Sequence, residues 1–142
     1  MTYRVVQWAT GLLGKVASKV ILAHPELELV GCWVHSDDKV GRDVGELCDL
    51  GPIGVKATNS LDEICALDAD AVVYSPVRAS TRDVIQLLES GKNVVTPVGW
   101  IYPADTPGVA AIQAACMKGG VTLHGTGINP GFSGEVLPLT MS

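Results

Sequence analysis

Along this chain the apolar residues keep changing their spacing, and that alternation narrows the choice of fold more than any single motif does. Tyr3 to Trp8 is a short, mostly apolar run that reads as a strand. Leu13, Val16, Ala17, Val20 and Ile21 then recur at helical spacing. His24-Pro25 stops that helix, because a proline disfavours helical backbone in the residue before it. Leu27 to Val34 reads as a second strand. Gly41, Gly45, Gly51, Pro52 and Gly54 interrupt the stretch from His35 to Asn59 and leave room for one short strand near Val55.

Order returns at Ser60-Leu61-Asp62-Glu63, a capping box in which the hydroxyl and carboxylate would satisfy free amides at a helix start. Ala69 to Tyr74 is a buried strand. Ser80 and Asp83 open a helix running through Leu88 that Gly91 closes, and Asn93 to Thr96 is the next strand. Thr106 and Pro107 begin a helix lined by Val109, Ile112 and Cys116 that ends at Gly119-Gly120, and Val121 to His124 is a last strand. The expectation is an α/β fold: one doubly wound, mainly parallel sheet of about six strands, filling residues 1–142 as a single domain. Ligands of such a sheet gather at the carboxyl ends of its strands, which directs attention to the loops after Trp8, Val34, Tyr74, Thr96 and His124.

Composition removes several rival classes. With 47% hydrophobic and 18% charged residues, the chain has the makings of a buried core and not of a disordered segment. The net charge of −5 offers no basic face for nucleic acid, and no apolar run reaches the roughly 20 residues of a membrane span. A cytoplasmic protein is expected. Cys32, Cys48, Cys65 and Cys116 form no C-x-x-C pair, so they read as four buried thiols, with no metal site indicated.

The loop after the first strand is Ala9-Thr10-Gly11-Leu12-Leu13-Gly14, followed directly by the helix. Gly11 would let backbone approach a pyrophosphate and Gly14 would let helix and strand pack closely. The helix start would offer free amides to the anion. The first glycine of G-x-G-x-x-G is replaced by Ala9. At the end of the second strand, His35 and Ser36 stand where an acid would select NAD, with Asp37 and Asp38 later and Lys39 and Arg42 beyond. An imidazole, a hydroxyl and nearby cations suit a 2′-phosphate better, so the reading leans to NADP over NAD. Ser75-Pro76, Thr96-Pro97 and the loop Gly125 to Phe132, with Asn129, would flank the nicotinamide without adding charge. Trp8, Trp33 and Trp100 are read as packing near the site.

Taken in order, these loops resemble the N-terminal domain of dihydrodipicolinate reductase, through the first glycine loop, Val73-Tyr74-Ser75-Pro76 and Thr96-Pro97-Val98-Gly99-Trp100. The sequence is also similar to the 2,4-diaminopentanoate dehydrogenase and native amine dehydrogenase group through Gly125-Thr126-Gly127-Ile128-Asn129-Pro130-Gly131-Phe132 and Leu137-Pro138-Leu139. The resemblance implies a Rossmann domain that binds NAD(P)H and delivers hydride to a C=N carbon of a small-molecule substrate. It also implies a C-terminal substrate domain beyond Ser142, which in such families carries the catalytic motifs and the contacts of a homo-oligomer. No catalytic residue is transferred: where the amine dehydrogenases have a glutamate before Tyr102-Pro103, this chain has Val98-Gly99-Trp100-Ile101. His24 reads as structural, His124 as a cleft candidate, and Glu135 as part of a terminal helix capped by Ser133. The rival expectation is a non-catalytic module that senses NAD(P).

Overall fold

The computed structural model describes residues 1–100, 108–128, 132–133 and 136–141. In chain order the elements are β1 (Tyr3–Trp8), α1 (Leu12–Ala23), β2 (Leu27–Trp33), a single 3-10 turn (Asp37–Lys39), α2 (Val44–Leu47), β3 (Ala57–Thr58), α3 (Leu61–Ala66), β4 (Ala71–Tyr74), α4 (Thr81–Glu89), β5 (Asn93–Thr96), α5 (Val109–Gly119), β6 (Leu123–Gly125) and α6 (Leu137–Met141). The strands form one sheet in the order β3-β2-β1-β4-β5-β6, every neighbouring pair parallel. The order reverses at β1, which lies between β2 and β4.

Alternation along β1 feeds two cores, one on each face of the sheet. Val6 and Trp8 pack with Val72 and Tyr74 of β4, Val94 of β5, and residues of α3, α4 and α5, including Ile64, Leu87 and Ile112. Val5 packs on the other face with Ile21 of α1, Leu29, Cys32 and Val34, and with Val44 and Leu47 of α2. Of the five residues whose spacing announces α1, only Ile21 is buried; Leu13, Val16 and Val20 are exposed. The helix seats instead through Gly14, Ser18 and Ile21. Small residues let its axis approach the strands, so its apolar stripe is turned outward.

The helix starts follow the expected chemistry with one change. Ser60 Oγ accepts from the Glu63 N–H at 3.2 Å, but the Ser60 N–H donates to Thr58 Oγ1 at 3.1 Å, so the reciprocal half of the capping box is taken by a nearer hydroxyl. Ser80 Oγ accepts from the Asp83 N–H at 3.3 Å. Gly120 closes α5 with a φ of 67°. Gly119 allows α5 to lie against α4, since a Cβ there would sit 1.9 Å from the Leu88 carbonyl oxygen.

The region from His35 to Asn59 departs most from expectation. Its strand is two residues, Ala57–Thr58, just past Val55, and a short helix, α2, precedes it. Asp43 organises the segment: Oδ1 accepts from the Gly45 and Ile53 N–H groups, both at 2.9 Å, and Oδ2 from the Gly54 N–H at 2.8 Å. These backbone donors, Ile53 foremost, hold its carboxyl below the usual carboxylate range. Cys32 and Cys48 are buried as expected, whereas Cys65 and Cys116 are only half-buried, at the margins of the α3 and α5 packing. Burial pushes the Cys32 thiol up to about 12. The Ser133 hydroxyl donates to the Ile128 carbonyl at 2.7 Å, and α6 begins at Leu137. Thr106, Pro107, Asn129 and Glu135 lie outside the described residues. Among the described residues no helix is long and apolar enough to cross a membrane.

Candidate functional site

Where the strand order reverses, the chain leaves β1 and β4 in opposite directions and opens a cleft of about 380 Å³ at their carboxyl ends. Three segments line it: Ala9, Thr10 and Gly11 after β1; Trp33, His35, Ser36 and Lys39 around the end of β2; and Tyr74, Pro76, Val77 and Arg78 after β4, with Asp83 from α4. Trp8 forms the floor and stacks on Trp33, ring centroids 4.3 Å apart and planes 9° from parallel. His35 continues the row at 6.1 Å from Trp33. Tyr74 is tilted against Trp8 at 5.4 Å, and its hydroxyl accepts from the Ser80 N–H at 3.0 Å. Burial chiefly raises the pKa of that hydroxyl.

The glycines of the first loop do two different jobs. Gly14 is buried, and a Cβ on it would lie 2.0 Å from the Ala9 carbonyl oxygen, so its place in the fold admits no side chain. Gly11 has an ordinary φ of −70°, and a Cβ on it would meet nothing within 4 Å. Neither its own conformation nor its neighbours among the described residues demand glycine. α1 begins there with no side-chain cap and no acid in its first turn, so its leading N–H groups and the positive end of its dipole remain available to an anion.

Leu12 and Leu13 follow the loop but are exposed and outside the cleft lining. Ser75 is buried, its hydroxyl donating to the Trp8 carbonyl at 3.1 Å and accepting from Gln7 Nε2 at 2.8 Å. Thr96 is buried and closes its own turn: Oγ1 accepts from the Val98 N–H at 3.0 Å and donates to the Val98 carbonyl at 2.9 Å. Pro97 follows, half-buried. Among the described residues both hydroxyls are engaged with neighbouring backbone or side-chain groups. His24 is structural, its Nδ1 accepting from the Glu26 N–H at 3.2 Å, and His124 is exposed on β6 away from the cleft lining.

Sequence reasoning underrated the aromatic floor and missed Val77, Arg78 and Asp83. Their signal was positional: they follow a strand that the alternation places beside β1. It also named Lys39 only as a distant cation, whereas Nζ lies 3.4 Å from Thr10 Oγ1 at the cleft.

A six-stranded parallel sheet with a glycine loop and a cleft at the reversal of strand order defines a Rossmann-type dinucleotide-binding domain of the dehydrogenase and reductase kind. Residues 5–98 match the family model described as dihydrodipicolinate reductase, N-terminus, and the chain belongs to that family. It is 37% identical over 149 residues to an amine dehydrogenase of Streptomyces virginiae, an alignment covering 96% of this chain and 41% of that protein. It is 41% identical over 63 residues to the 4-hydroxy-tetrahydrodipicolinate reductase of Synechococcus elongatus, covering 44% of this chain and 23% of the reductase. The amine dehydrogenase from Mycobacterium smegmatis superposes with a TM-score of 0.85 at 28% identity, over 99% of this chain and 44% of that one. The matched regions thus cover 41%, 23% and 44% of these relatives' own lengths.

Proposed function

We propose that this chain is the NAD(P)H-holding domain of an oxidoreductase that transfers hydride to the C=N carbon of a small substrate. The observation that carries the reading is Gly11: a glycine in ordinary backbone, facing open cleft, at the uncapped start of α1. The amides from Thr10 to Leu13 would hold the pyrophosphate, and the Trp33–His35 side would face the adenosine half. Ala9 and Gly14 shape the turn. The backbone at Ser75-Pro76 and Thr96-Pro97, with Asn129, would flank the nicotinamide. The bound cofactor supplies hydride from C4 of its nicotinamide, while the protein supplies position and electrostatics.

NADP is favoured over NAD. Asp37 does not line the cleft; its Oδ1 accepts from Asn59 Nδ2 at 2.8 Å, and Asp38 is likewise absent from the lining. His35, Ser36 and Lys39 stand there instead, suited to a 2′-phosphate. The reaction class is supported by the relatives, one named an amine dehydrogenase and another a 4-hydroxy-tetrahydrodipicolinate reductase. Substrate contacts and acid–base groups are assigned to a further domain, for which the greater length of those relatives leaves room. A cytosolic setting, in which Cys32, Cys48, Cys65 and Cys116 stay reduced, belongs to the same reading.

Titration with NADPH and NADH, followed by nicotinamide fluorescence, tests this directly. NADPH is expected to bind at least about tenfold more tightly, roughly 1.4 kcal/mol. Binding of neither nucleotide overturns the reading; a tenfold preference for NADH overturns the cofactor choice alone.

A further inference from the structure

At Ala9 the chain adopts a conformation that alanine resists. Its φ is 73°, in the left-handed region that a Cβ disfavours, and it occupies the position of the motif's first glycine. The turn is held at both ends. The Ala9 N–H donates to the Trp33 carbonyl at 2.8 Å, and the Ala9 carbonyl accepts from Gln7 Nε2 at 3.0 Å.

Gln7 is fully buried in β1, directly beneath this loop. Its Nε2 also lies 3.0 Å from the Trp8 carbonyl oxygen and 2.8 Å from Ser75 Oγ. Two carbonyls facing one end of the amide fix its orientation, because only the NH₂ end can donate to them. Oε1 is buried and has no partner among the described residues. A side chain present only to fill space beneath α1 would have no need of an amide with one end unsatisfied. Gly14 completes the arrangement, since a Cβ there would press on the Ala9 carbonyl and come within 3.1 Å of Gln7 Nε2. Through Ser75 the same amide reaches the loop whose next residues, Pro76, Val77 and Arg78, line the opposite wall of the cleft.

We infer that Gln7 is a positioning residue for cofactor binding: its amide holds Ala9 in the left-handed turn that glycine would adopt unaided, and ties that turn to the loop after β4. The inference rests on the dinucleotide reading of the cleft. It explains how the first glycine of the motif can be replaced while the turn keeps its shape.

The test is a double-mutant cycle of Gln7→Leu and Ala9→Gly, read by NADPH affinity and, without ligand, by thermal unfolding. Gln7→Leu is expected to weaken NADPH on the order of tenfold, the effect of one lost hydrogen-bonding group. Adding Ala9→Gly should restore affinity to within about threefold of the unmodified protein, because glycine needs no grip to stay left-handed. A packing defect beneath α1 would not be repaired this way, since removing a methyl group at position 9 cannot correct the fit of leucine at position 7. Unchanged affinity in Gln7→Leu, or a weakening that Ala9→Gly does not repair, overturns the inference. Where Gln7→Leu alone does not fold, the cycle is run with Gln7→Met, which keeps the length of the side chain and removes its amide, and is read by the same outcomes. If the unmodified protein binds neither nucleotide, the dinucleotide reading fails separately. The melting cycle then judges the Gln7–Ala9 link: coupled melting temperatures sustain it and additive ones overturn it.

Discussion

Replacing Gly11 and Gly14 by alanine, one at a time, adds the same methyl group three residues apart and should give opposite results. At Gly14 the new Cβ lies 2.0 Å from the Ala9 carbonyl oxygen and 2.9 Å from its carbon, both backbone atoms that no rotamer change can move. Relief requires α1 to lift from β1 or the turn to open, an overpacking cost of about 2–3 kcal/mol. For a domain of this size that corresponds to a fall in melting temperature of roughly 6–12 °C. At Gly11 the Cβ meets nothing within 4 Å and φ is already −70°. Alanine is a poorer helix N-cap than glycine, but it also restricts the unfolded chain, and the two effects nearly cancel, leaving about 0.5 kcal/mol or less of either sign. The methyl nevertheless projects into the space assigned to the pyrophosphate, so NADPH affinity should drop by at least about tenfold. Thermal unfolding and fluorescence titration of both variants make the comparison. A Gly14→Ala protein that melts with the unmodified one would refute the packing argument, and a Gly11→Ala protein that binds NADPH normally would refute the assignment of the cleft.

Three other outcomes follow from the geometry. Asp43→Asn should destabilise the protein at neutral pH, because an amide cannot accept from Gly45, Ile53 and Gly54 with both of its ends. Asp43 has a depressed pKa, so its contribution is complete above the ordinary carboxylate range and is lost as pH falls through the folded value. The gap between Asp43→Asn and the unmodified protein should therefore close below about pH 4 in urea titrations; a gap independent of pH would count against the carboxylate's role. Gly120→Ala should cost about 1 kcal/mol through its φ of 67°, while Gly119→Ala should cost more by driving α5 off the Leu88 carbonyl of α4, a ranking that chemical denaturation can reverse. NADPH should quench tryptophan emission, and Trp33→Phe should remove much of that quench because Trp33 lines the cleft; an unchanged quench would place the cofactor elsewhere.

The outline of the fold was legible because it is written in local period. β1, α1, β2, α4 and β5 announce themselves within a few residues, and right-handed crossovers then leave little freedom in how the strands are ordered. Gly11 and Gly14 were legible for the same reason, being spaced by the turn they serve. What escaped depends on partners far along the chain. Gln7 looks like an interruption in an apolar strand until Ser75 and the Ala9 carbonyl arrive beside it. Asp43 looks like one acid among several until Ile53 and Gly54 fold back on it. The hydroxyls of Ser75 and Thr96 are well chosen for a ligand by type, yet the bonds they make to the Trp8 and Val98 backbones are invisible to residue counting.

The central place of β1 also sets an order of events as the chain is made. One edge of β1 can be satisfied once β2 has formed, but the other waits for β4, whose first paired residue, Ala71, emerges only after the whole stretch that follows β2 has been made. Until then the innermost strand presents a row of unpaired amides and carbonyls beside Val6 and Trp8, a template for pairing with another chain. Closing β1 onto β4 brings together residues more than sixty positions apart, so that step, and not the early βαβ unit, should limit the rate of folding. A nascent chain paused anywhere between β2 and β4 is therefore in its most vulnerable state, with its future centre serving as an edge.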